Sequence, residues 1–276
     1  MALKVSVIVP TYNQPGFLHL VLCSFEVQTC RDFELLVADD GSGPETRELV
    51  EGWRVRGPFP IRHVWHEDEG FRKTVILNEA VKQSSGDYLI FNDGDCLAHP
   101  RFVASHVEFA RPNGFAVGRT PRLSRRLTAR VTEERVRSRK AQRMTLGKVA
   151  DYLFGESKKM EFGSYIGNRA LFELVQRTKK NLDLWGGNFS CFKSDYVKVN
   201  GFNEEFIGWG KEDLELGIRF RNLGLRPVSV ANRAINFHLW HPKPGRRSYN
   251  VALQNRIKKS YRDSGEYYCP LGYANH

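Results

Sequence analysis

The sequence predicts an α/β protein with a mostly parallel central sheet flanked by helices. Through the first hundred residues, short apolar runs rich in β-branched residues alternate with segments in which apolar residues recur at helical spacing. Polar residues follow each apolar run directly. Alternation at this spacing is typical of strands joined by right-handed crossover helices, so the polar clusters should gather at one edge of the sheet.

Four strands and three helices account for this first part. The predicted strands are residues 5–9, 33–38, 61–65 and 88–91, and the predicted helices are residues 18–27, 45–53 and 74–83. Pro10 ends the first run, and Asp39, Asp40 and Gly41 close the second. Each strand is therefore bounded by residues that favour turns.

The second half is less regular. A helix is predicted at 100–109, followed by a basic segment at 119–148 and a stretch rich in glycine and aromatic residues at 181–192. Another helix is predicted at 213–223, with Gly224 as its C-terminal stop, and a last strand at 227–231. Residues 243–276 form a polar, basic tail that we expect to be partly flexible.

Composition indicates an ordinary globular protein of 276 residues, 41% hydrophobic and 26% charged. No apolar run approaches the ~20 residues that a membrane-spanning helix needs. The N-terminal apolar stretch is too short for a signal peptide, so we expect a cytoplasmic protein. The five cysteines include no C-x-x-C pair, which argues against a zinc site. Their odd number argues against a disulfide framework and favours a reducing compartment.

Positive charge is concentrated in one segment. The net charge is +11, and residues 119–148 contain eleven Lys or Arg against Glu133 and Glu134, a local net of +9. Leu123, Leu127, Val131 and Val136 recur there at near-helical spacing. A basic amphipathic helix could contact an anionic membrane, nucleic acid or a phosphorylated acceptor. The equal alternative is that the basic residues only form a solvent-exposed helix face.

The acidic tripeptide Asp93-Gly94-Asp95 follows the strand at 88–91. Two like charges at this spacing repel each other and are best tolerated beside a cation, such as a divalent metal that carries a phosphate. An exposed Asp-Gly turn is the alternative. Residues 10–13 and 39–40 should reach the same edge of the sheet, which favours a functional site there.

Four motifs in this order make the chain similar to the inverting glycosyltransferases of family 2, which have the GT-A, Rossmann-like fold. They lie at residues 7–13, 37–42, 92–95 and 208–213. The last one also resembles the acceptor-side motif of chondroitin polymerases and β-1,4-galactosyltransferases, and residues 70–73 resemble a subgroup associated with bacterial surface polysaccharides. With no second catalytic domain or membrane channel, we do not expect a self-contained processive synthase.

The resemblance implies one GT-A domain over residues 1–242. Residues 1–97 would form the nucleotide-sugar-binding half. Residues 98–242 would form the acceptor-binding half, with the basic insert at 119–148. The basic tail at 243–276 would follow the domain.

The resemblance also implies a metal site for Mn²⁺ or Mg²⁺, which would act on the departing diphosphate as a Lewis acid. Asp95 corresponds to the firmer metal ligand. Asp93 would contact the ribose or a metal-bound water. His238 and His241 are candidates to complete the site; either one of them is a ligand or both are structural. Imidazole would favour Mn²⁺ over Mg²⁺.

On the acceptor side, Asp213 is the candidate general base, because an inverting transferase needs one carboxylate beside the attacking hydroxyl. Its place near a helix N-terminus would stabilise the ionised form. Glu212 would hydrogen-bond the acceptor sugar. Trp185, Trp209 and Trp240 are candidate platforms for sugar rings, of which only Trp209 lies in a motif. Alternatively, Glu212 and Asp213 are only acidic residues in the first turn of a helix.

On the donor side, Asp40 would accept a hydrogen bond from the nucleobase, and one of the two cations Arg72 and Lys73 would be essential. The residues predicted to bind the nucleotide sugar are Pro10, Thr11, Tyr12, Asn13, Asp40, Gly70, Phe71, Arg72, Lys73, Asp93 and Gly94.

Together these residues predict a metal-dependent glycosyltransferase that moves a sugar, by preference from a UDP-sugar, to a glycan or lipid-linked glycan. We expect a location in the cytoplasm or at the inner face of the cell membrane. A sugar nucleotidyltransferase is one alternative, but residues 9–14 are not the glycine-rich phosphate loop that it would need. A basic nucleic-acid-binding protein would explain the charge but not the acidic mouth of the sheet, so we expect no nucleic acid. A catalytically inactive scaffold would not need Asp95 and Asp213.

Overall fold

The computed structural model describes residues 3–177, 182–242 and 251–275. Its main sheet has seven strands in the order β3-β2-β1-β4-β7-β6-β8, and β5 and β9 form a separate two-stranded ribbon. The strands are β1 (Val5–Thr11), β2 (Glu34–Asp39), β3 (Ile61–Trp65), β4 (Tyr88–Asn92), β5 (Cys96–Ala98), β6 (Gly114–Val117), β7 (Asn188–Phe192), β8 (Arg226–Ser229) and β9 (Asn236–His238).

The helices are short. They are α1 (Pro15–Glu26), α2 (Pro44–Arg56), α3 (Lys73–Gln83), α4 (Phe102–Glu108), α5 (Arg125–Thr128), α6 (Glu133–Arg137), α7 (Leu146–Phe154), α8 (Arg169–Arg177), α9 (Lys193–Lys198), α10 (Glu212–Asn222) and α11 (Val251–Ser264). Within the three described ranges, no helix has the length and apolar character to cross a bilayer.

The first half of the sheet is parallel, as predicted. β1 lies between β2 and β4, and β3 pairs with the outer edge of β2. Because alternate side chains of a strand point to opposite faces, Val7 and Val9 pack with α1 and α2 on one face, whereas Ile8 packs with α3 and α10 on the other. The predicted strands and helices of residues 5–91 are all present.

The second half contains antiparallel pairs that the sequence did not predict. β7 pairs antiparallel with β4, where Phe189 lies opposite Phe91, and also with β6. β6 in turn pairs parallel with β8, which begins at Arg226, one residue before the predicted strand. The stretch rich in glycine and aromatic residues, to which the sequence assigned no element, therefore supplies a central strand.

The predicted basic helix at 119–148 is wrong as a single element. Ser124, Thr132 and Thr145 each accept a backbone hydrogen bond with the side chain and so begin a new helix, which divides the segment into α5, α6 and the start of α7. Leu127 and Val136 are buried in the main core, and Leu123 and Val131 pack there too. These apolar residues face inward, and most cations of the segment are exposed, whereas Lys148 is buried.

The predicted tail also differs from the structure over the part that is described. α11 packs against α10, and its Ile257 and Tyr261 form a small core with Phe206 and Cys269. These two residues are four apart and share one helix face, which explains the docking despite the basic composition. Residues 243–250 lie outside the described residues.

Candidate active site

The loops after β1, β2 and β4 meet at one edge of the sheet. The backbone N–H of Asp40 donates to Thr11 O at 3.0 Å, and that of Gly94 donates to Pro10 O at 3.0 Å. A Cβ on Gly94 would lie 2.5 Å from Pro10 O, so only glycine allows the acidic turn to run this close to β1. The three polar motifs of the first hundred residues are therefore contiguous in space.

Asp40 is nearly buried and satisfied by two groups that follow β3. Its carboxylate accepts a hydrogen bond from the Arg72 backbone N–H at 3.0 Å and lies 2.8 Å from Nε2 of His66. Burial raises the pKa of Asp40, and the hydrogen bonds from His66 and Arg72 act in the opposite direction. The carboxylate is thus held in a fixed orientation.

Tyr12 stands at the rim with an exposed ring. Its hydroxyl donates to Asp68 at 2.8 Å, and Asp68 also accepts the Gly70 backbone N–H at 3.0 Å. Asn13 accepts the Gly43 backbone N–H at 3.0 Å. These hydrogen bonds link the loop after β1 to the loops after β2 and β3. The flat face of the exposed Tyr12 ring can contact a planar group.

Sequence reasoning missed His66 and Asp68. Both follow β3, which ends at Trp65, so the rule that polar residues after a parallel strand reach the ligand edge could have identified them. The polar run 66–69 was the signal, and it was overlooked because no motif includes it.

The adjacent cations Arg72 and Lys73 point to different places. Lys73 begins α3, and its Nζ lies 2.8 Å from Asp93 Oδ1. Arg72 instead pairs with Glu69, whose side chain is exposed. Between the loops, Phe71 O accepts the Gly208 backbone N–H at 3.3 Å, which connects the loop after β3 to the loop before α10.

Glu212 and Asp213 form the first turn of α10. Asp213 accepts the backbone N–H groups of Gly186 and, at 2.7 Å, Leu214. Glu212 accepts the backbone N–H of Gly210 at 3.1 Å. Positive φ angles at Gly208 and Gly210 form the tight approach to the helix, where glycine is the favoured residue.

One pocket brings together acids that the sequence assigned by expectation to the donor side and to the acceptor side. Asp93, Lys73, Glu212 and Asp213 line it with two glycines and five apolar residues: Gly186, Gly187, Pro10, Leu77, Phe91, Phe189 and Phe202. A Cβ on Gly187 would lie 2.3 Å from Asp93 Oδ2, and one on Gly186 would lie 3.2 Å from Asp213 Oδ2. The glycine pair therefore permits the close approach of backbone and carboxylates.

The charges in this pocket depend on one another. Burial would lower the pKa of Lys73, but the carboxylates of Asp93, Glu212 and Asp213 outweigh it and raise that pKa above its ordinary value. Burial, together with the charge of Asp213, raises the pKa of Glu212 to about 7. Burial also raises the pKa of Asp213, against the hydrogen bonds from Gly186 and Leu214.

Asp95, His238 and His241 form a second cluster beside Asp93. Oδ2 of Asp95 lies 3.0 Å from His241 Nε2 and 3.5 Å from His238 Nε2. Asp93 and Asp95 also place carboxylate oxygens within 4.8 Å of each other. Burial would raise the pKa of Asp95, but the hydrogen bond from His241 and the charge of His238 lower it to about 2.

The donor set of this cluster fits a divalent cation. His241 Nδ1 lies 2.8 Å from Pro242 O and can only donate there. Nε2 can therefore donate to Asp95 only when the ring is protonated, and in the neutral ring its lone pair faces the Asp95 oxygen. Two acceptors at that distance need a proton or a metal ion between them. A backbone carbonyl that fixes the ring in this way is the usual second partner of a metal-ligating histidine.

Buried amides support the pocket from behind, and sequence reasoning missed them. Asn236 donates to Asn92 Oδ1 at 2.8 Å and to Gly187 O at 2.5 Å, and Asn188 donates to Asn236 Oδ1 at 2.9 Å. They join β4, β7 and β9 next to the acidic turn. Amides carry no charge pattern, so only the strand pairing reveals their role.

The three tryptophans differ in their surroundings. Trp209 and Trp185 are exposed, and each adjoins a residue of the pocket loops, Gly210 or Gly186. Lys159 Nζ lies 5.3 Å from the Trp185 ring centroid. Trp240 is partly buried under Arg125, whose guanidinium carbon lies 5.3 Å from the ring centroid. Of the three, Trp185 and Trp209 are the exposed ones next to the pocket loops.

Comparison with known proteins gives two family matches. A model described as glycosyl transferase family 2 matches residues 6–170, more than half of the chain. A model described as the N-terminal domain of galactosyltransferase matches residues 171–242.

Curated relatives include a validoxylamine A glucosyltransferase of Streptomyces hygroscopicus subsp. jinggangensis, 30% identical over 259 residues, which are 91% of this chain and 58% of the relative. A chondroitin synthase of Escherichia coli is 26% identical over 271 residues, 91% of this chain and 37% of the relative. The chain thus spans little more than half the length of the first of these and a smaller part of the second.

Solved structures agree on the fold. Staphylococcus aureus TarS 1–349 in complex with UDP-GlcNAc has a TM-score of 0.62 at 16% identity, over 98% of this chain and 68% of that one. The mannosyltransferase PcManGT from Pyrobaculum calidifontis in complex with GDP-Man and Mn²⁺ has a TM-score of 0.56 at 18% identity, over 92% and 61%. At these identities the likeness establishes the GT-A fold alone.

Proposed function

Because the chain belongs to glycosyl transferase family 2, we propose that it is a metal-dependent inverting glycosyltransferase. It moves a sugar from a nucleotide sugar, by preference a UDP-sugar, to a glycan or lipid-linked glycan in polysaccharide or surface-glycan synthesis. One observation carries the proposal: Asp93 and Asp213, which are far apart in the sequence, line the same pocket with Lys73 between the two sides.

The donor nucleotide binds at the mouth of the parallel strands. Asp40 accepts a hydrogen bond from the nucleobase, and the exposed ring of Tyr12 lies against the base. The turns at Pro10, Thr11 and Asn13 and at Gly70 and Phe71 form the walls. Lys73 and Arg72 supply positive charge toward the diphosphate, and Gly94 lets the backbone approach it. Support comes from the hydrogen bonds that join these loops.

Asp95, His238 and His241 hold the divalent cation, and Asp93 lies beside it. A cation held there supplies Lewis acidity to the departing nucleoside diphosphate. One carboxylate and two imidazoles favour Mn²⁺ over Mg²⁺. The orientation of His241 toward Asp95 supports this assignment, and the structural neighbour that binds GDP-Man is described with Mn²⁺.

Asp213 acts as the general base. The acceptor oxygen attacks the anomeric carbon, the bond from that carbon to the diphosphate breaks, and the hydroxyl proton passes to Asp213. The configuration of the sugar is inverted because attack and departure lie on opposite faces. Two backbone amides fix the carboxylate, and its raised pKa makes it a stronger base than an ordinary aspartate.

Glu212, Trp209 and Trp185 bind the acceptor. Glu212 has a pKa of about 7, so near neutrality it can donate or accept a hydrogen bond to a sugar hydroxyl. The exposed rings of Trp209 and Trp185 are suited to the apolar faces of sugars.

The competing functions fit less well. A sugar nucleotidyltransferase would release pyrophosphate and needs a glycine-rich phosphate loop, but β1 is followed by Tyr12, Asn13 and Gln14. A nucleic-acid-binding protein would have to bring phosphates to a pocket that contains three carboxylates.

The direct test is a screen of nucleotide sugars with Mn²⁺, in which release of the nucleoside diphosphate is measured. We expect one donor class to be consumed by the wild type and to be consumed at least about 100-fold more slowly by Asp95→Ala. Asp263→Ala, which changes an exposed acid on α11, is the matched control and should behave as the wild type. Release of pyrophosphate, or equal rates for wild type and Asp95→Ala, would contradict the proposal.

A further inference from the structure

Helix α7 is built with its polar side inward. Lys148 and Asp151 are its buried residues, whereas Leu146 is 88% exposed, Leu153 64% and Phe154 89%. Val149 and Tyr152 are also exposed. An ordinary surface helix has the opposite arrangement, with apolar residues toward the core.

Specific polar contacts fix this orientation. Lys148 Nζ donates to Ala141 O at 2.6 Å and to Arg143 O at 2.9 Å. Asp151 accepts the Ser157 hydroxyl at 2.5 Å and pairs with Arg126 at 2.8 Å. Rotating the helix to bury its leucines would break these contacts and leave charges unpaired, which is costly. The apolar face is therefore held outward.

The surroundings of this face are basic. Residues 139–159 contain six Lys or Arg against Asp151 and Glu156. Arg143 lies just before α7, and Lys158 and Lys159 lie just after it, all three exposed. Arg126, which pairs with Asp151, is also largely exposed. An apolar ridge thus lies between cations.

We propose that α7 docks on an anionic lipid bilayer, with Leu146, Val149, Leu153 and Phe154 in the boundary between headgroups and acyl chains. Leucine and phenylalanine on one side, with lysine and arginine around them, are typical of helices that lie in this interface. The cations add attraction to anionic headgroups. A protein partner would need an acidic surface that matches these cations, whereas an anionic bilayer presents negative charge over its whole surface.

This surface differs from the one that the sequence suggested. The apolar residues of 119–136 are internal, so only α7 presents an apolar face within the basic region. The membrane contact does not depend on the proposed function. One consequence does rest on that function: Lys159 lies over Trp185, which precedes Gly186 at the acceptor side, so a lipid-linked acceptor would enter from the bilayer.

The test is flotation of the full chain with vesicles of phosphatidylcholine alone or mixed with phosphatidylglycerol. We expect binding to the mixed vesicles only. The double variant Leu153→Ser/Phe154→Ser should lower the partition coefficient roughly 10- to 100-fold, because the transfer of two large apolar side chains from water into the bilayer is lost. Leu171→Ser/Leu174→Ser is the matched control: these leucines of α8 are 50% and 60% exposed, and binding should not change.

Equal loss in both double variants, or no loss in the α7 variant, would overturn the proposal. Sedimentation velocity gives another contradicting outcome: the wild type self-associates through α7, while its vesicle binding does not depend on α7. The partner of the α7 face would then be a second copy of the chain. Leu153 and Phe154 are exposed, so the variants should unfold at the wild-type temperature.

A second measurement does not depend on loss of binding. Phe154→Trp should be quenched by brominated phosphatidylglycerol vesicles more than the five native tryptophans of the wild type are. Leu174→Trp should show no added quenching. Absence of added quenching at position 154 would overturn the assignment.

Discussion

Asp213 is the residue on which the proposed chemistry depends most. Its carboxylate is nearly enclosed by the pocket, bound by two backbone amides, and surrounded by Lys73, Asp93 and Glu212. Asp213→Asn keeps the shape and removes the proton acceptor. We expect the transfer rate to fall about 10²- to 10⁴-fold, while the affinity for the nucleotide sugar, measured by calorimetry, stays within about twofold.

Asp263→Asn, an amide substitution on the surface of α11, is the control for that experiment. A transfer rate for Asp213→Asn within a factor of a few of the wild type would assign the general base to another group.

Glu212 should make stability depend on pH. Its pKa in the folded protein is raised to about 7 from an ordinary 4.5, first by burial and then by Asp213. Well below pH 4.5 the carboxyl group of Glu212 is protonated in both the folded and the unfolded state and does not change the free energy of unfolding. As pH rises toward the folded pKa, ionisation favours the unfolded state, so stability is lost over this window, by about 3 kcal/mol at most.

Glu212→Gln should remove this pH dependence, so its free energy of unfolding should rise relative to that of the wild type as the pH increases from 5 to 8. The measurement is denaturant unfolding of both proteins at the two pH values without metal. Glu134→Gln, at an exposed position, is the control. A constant difference between Glu212→Gln and the wild type at the two pH values would show that the carboxyl is not protonated in the fold.

Single residues were predictable where a charge stood at a strand end or a helix start. Asp93, Asp95 and Asp213 belong to such motifs, and their roles stay predictions. His66 and Asp68 were accessible by the same rule but were overlooked. Asn236 was not accessible, because its importance comes from contacts with Asn92 and Gly187 that depend on the pairing of distant strands.

At the scale of elements, the sequence predicted the parallel half well because each of its strands and helices has a strong local pattern. The antiparallel half was missed for a physical reason. β6 has four residues and β5 and β9 have three each, too few to display alternation. β7 lies between β4 and β6, and its polar residues Asn188 and Ser190 are buried, so no exposed face marks it as a strand and it resembles a loop rich in aromatic residues.

The docking of α11 provides a test at this scale. Ile257→Ala leaves a void between α11 and α10 beside Phe206 and Tyr261. We expect the free energy of unfolding to fall by about 2–4 kcal/mol, measured with urea. Lys259→Ala, an exposed position on the same helix, should change it by less than about 0.5 kcal/mol. A neutral Ile257→Ala would mean that the last helix folds apart from the domain.

At the scale of the whole molecule, charge is separated. The cations that give the net charge of +11 are concentrated in 119–148, while the sheet mouth contains Asp93, Asp95, Glu212 and Asp213. The hydrogen bond from Gly208 to Phe71 O joins the donor-side loop to the acceptor-side loop. We infer that a cation and the nucleotide complete the site together, because the positive charge of the cation offsets the negative charge of both the carboxylates and the diphosphate.

The most direct test of this account is calorimetric titration of UDP into the protein with and without Mn²⁺, using wild type, Asp95→Ala and Asp213→Asn. UDP should bind the wild type and Asp213→Asn only when Mn²⁺ is present, and Asp95→Ala should lose that dependence together with most of its affinity. UDP binding to Asp95→Ala with the affinity and Mn²⁺ dependence of the wild type would contradict the account.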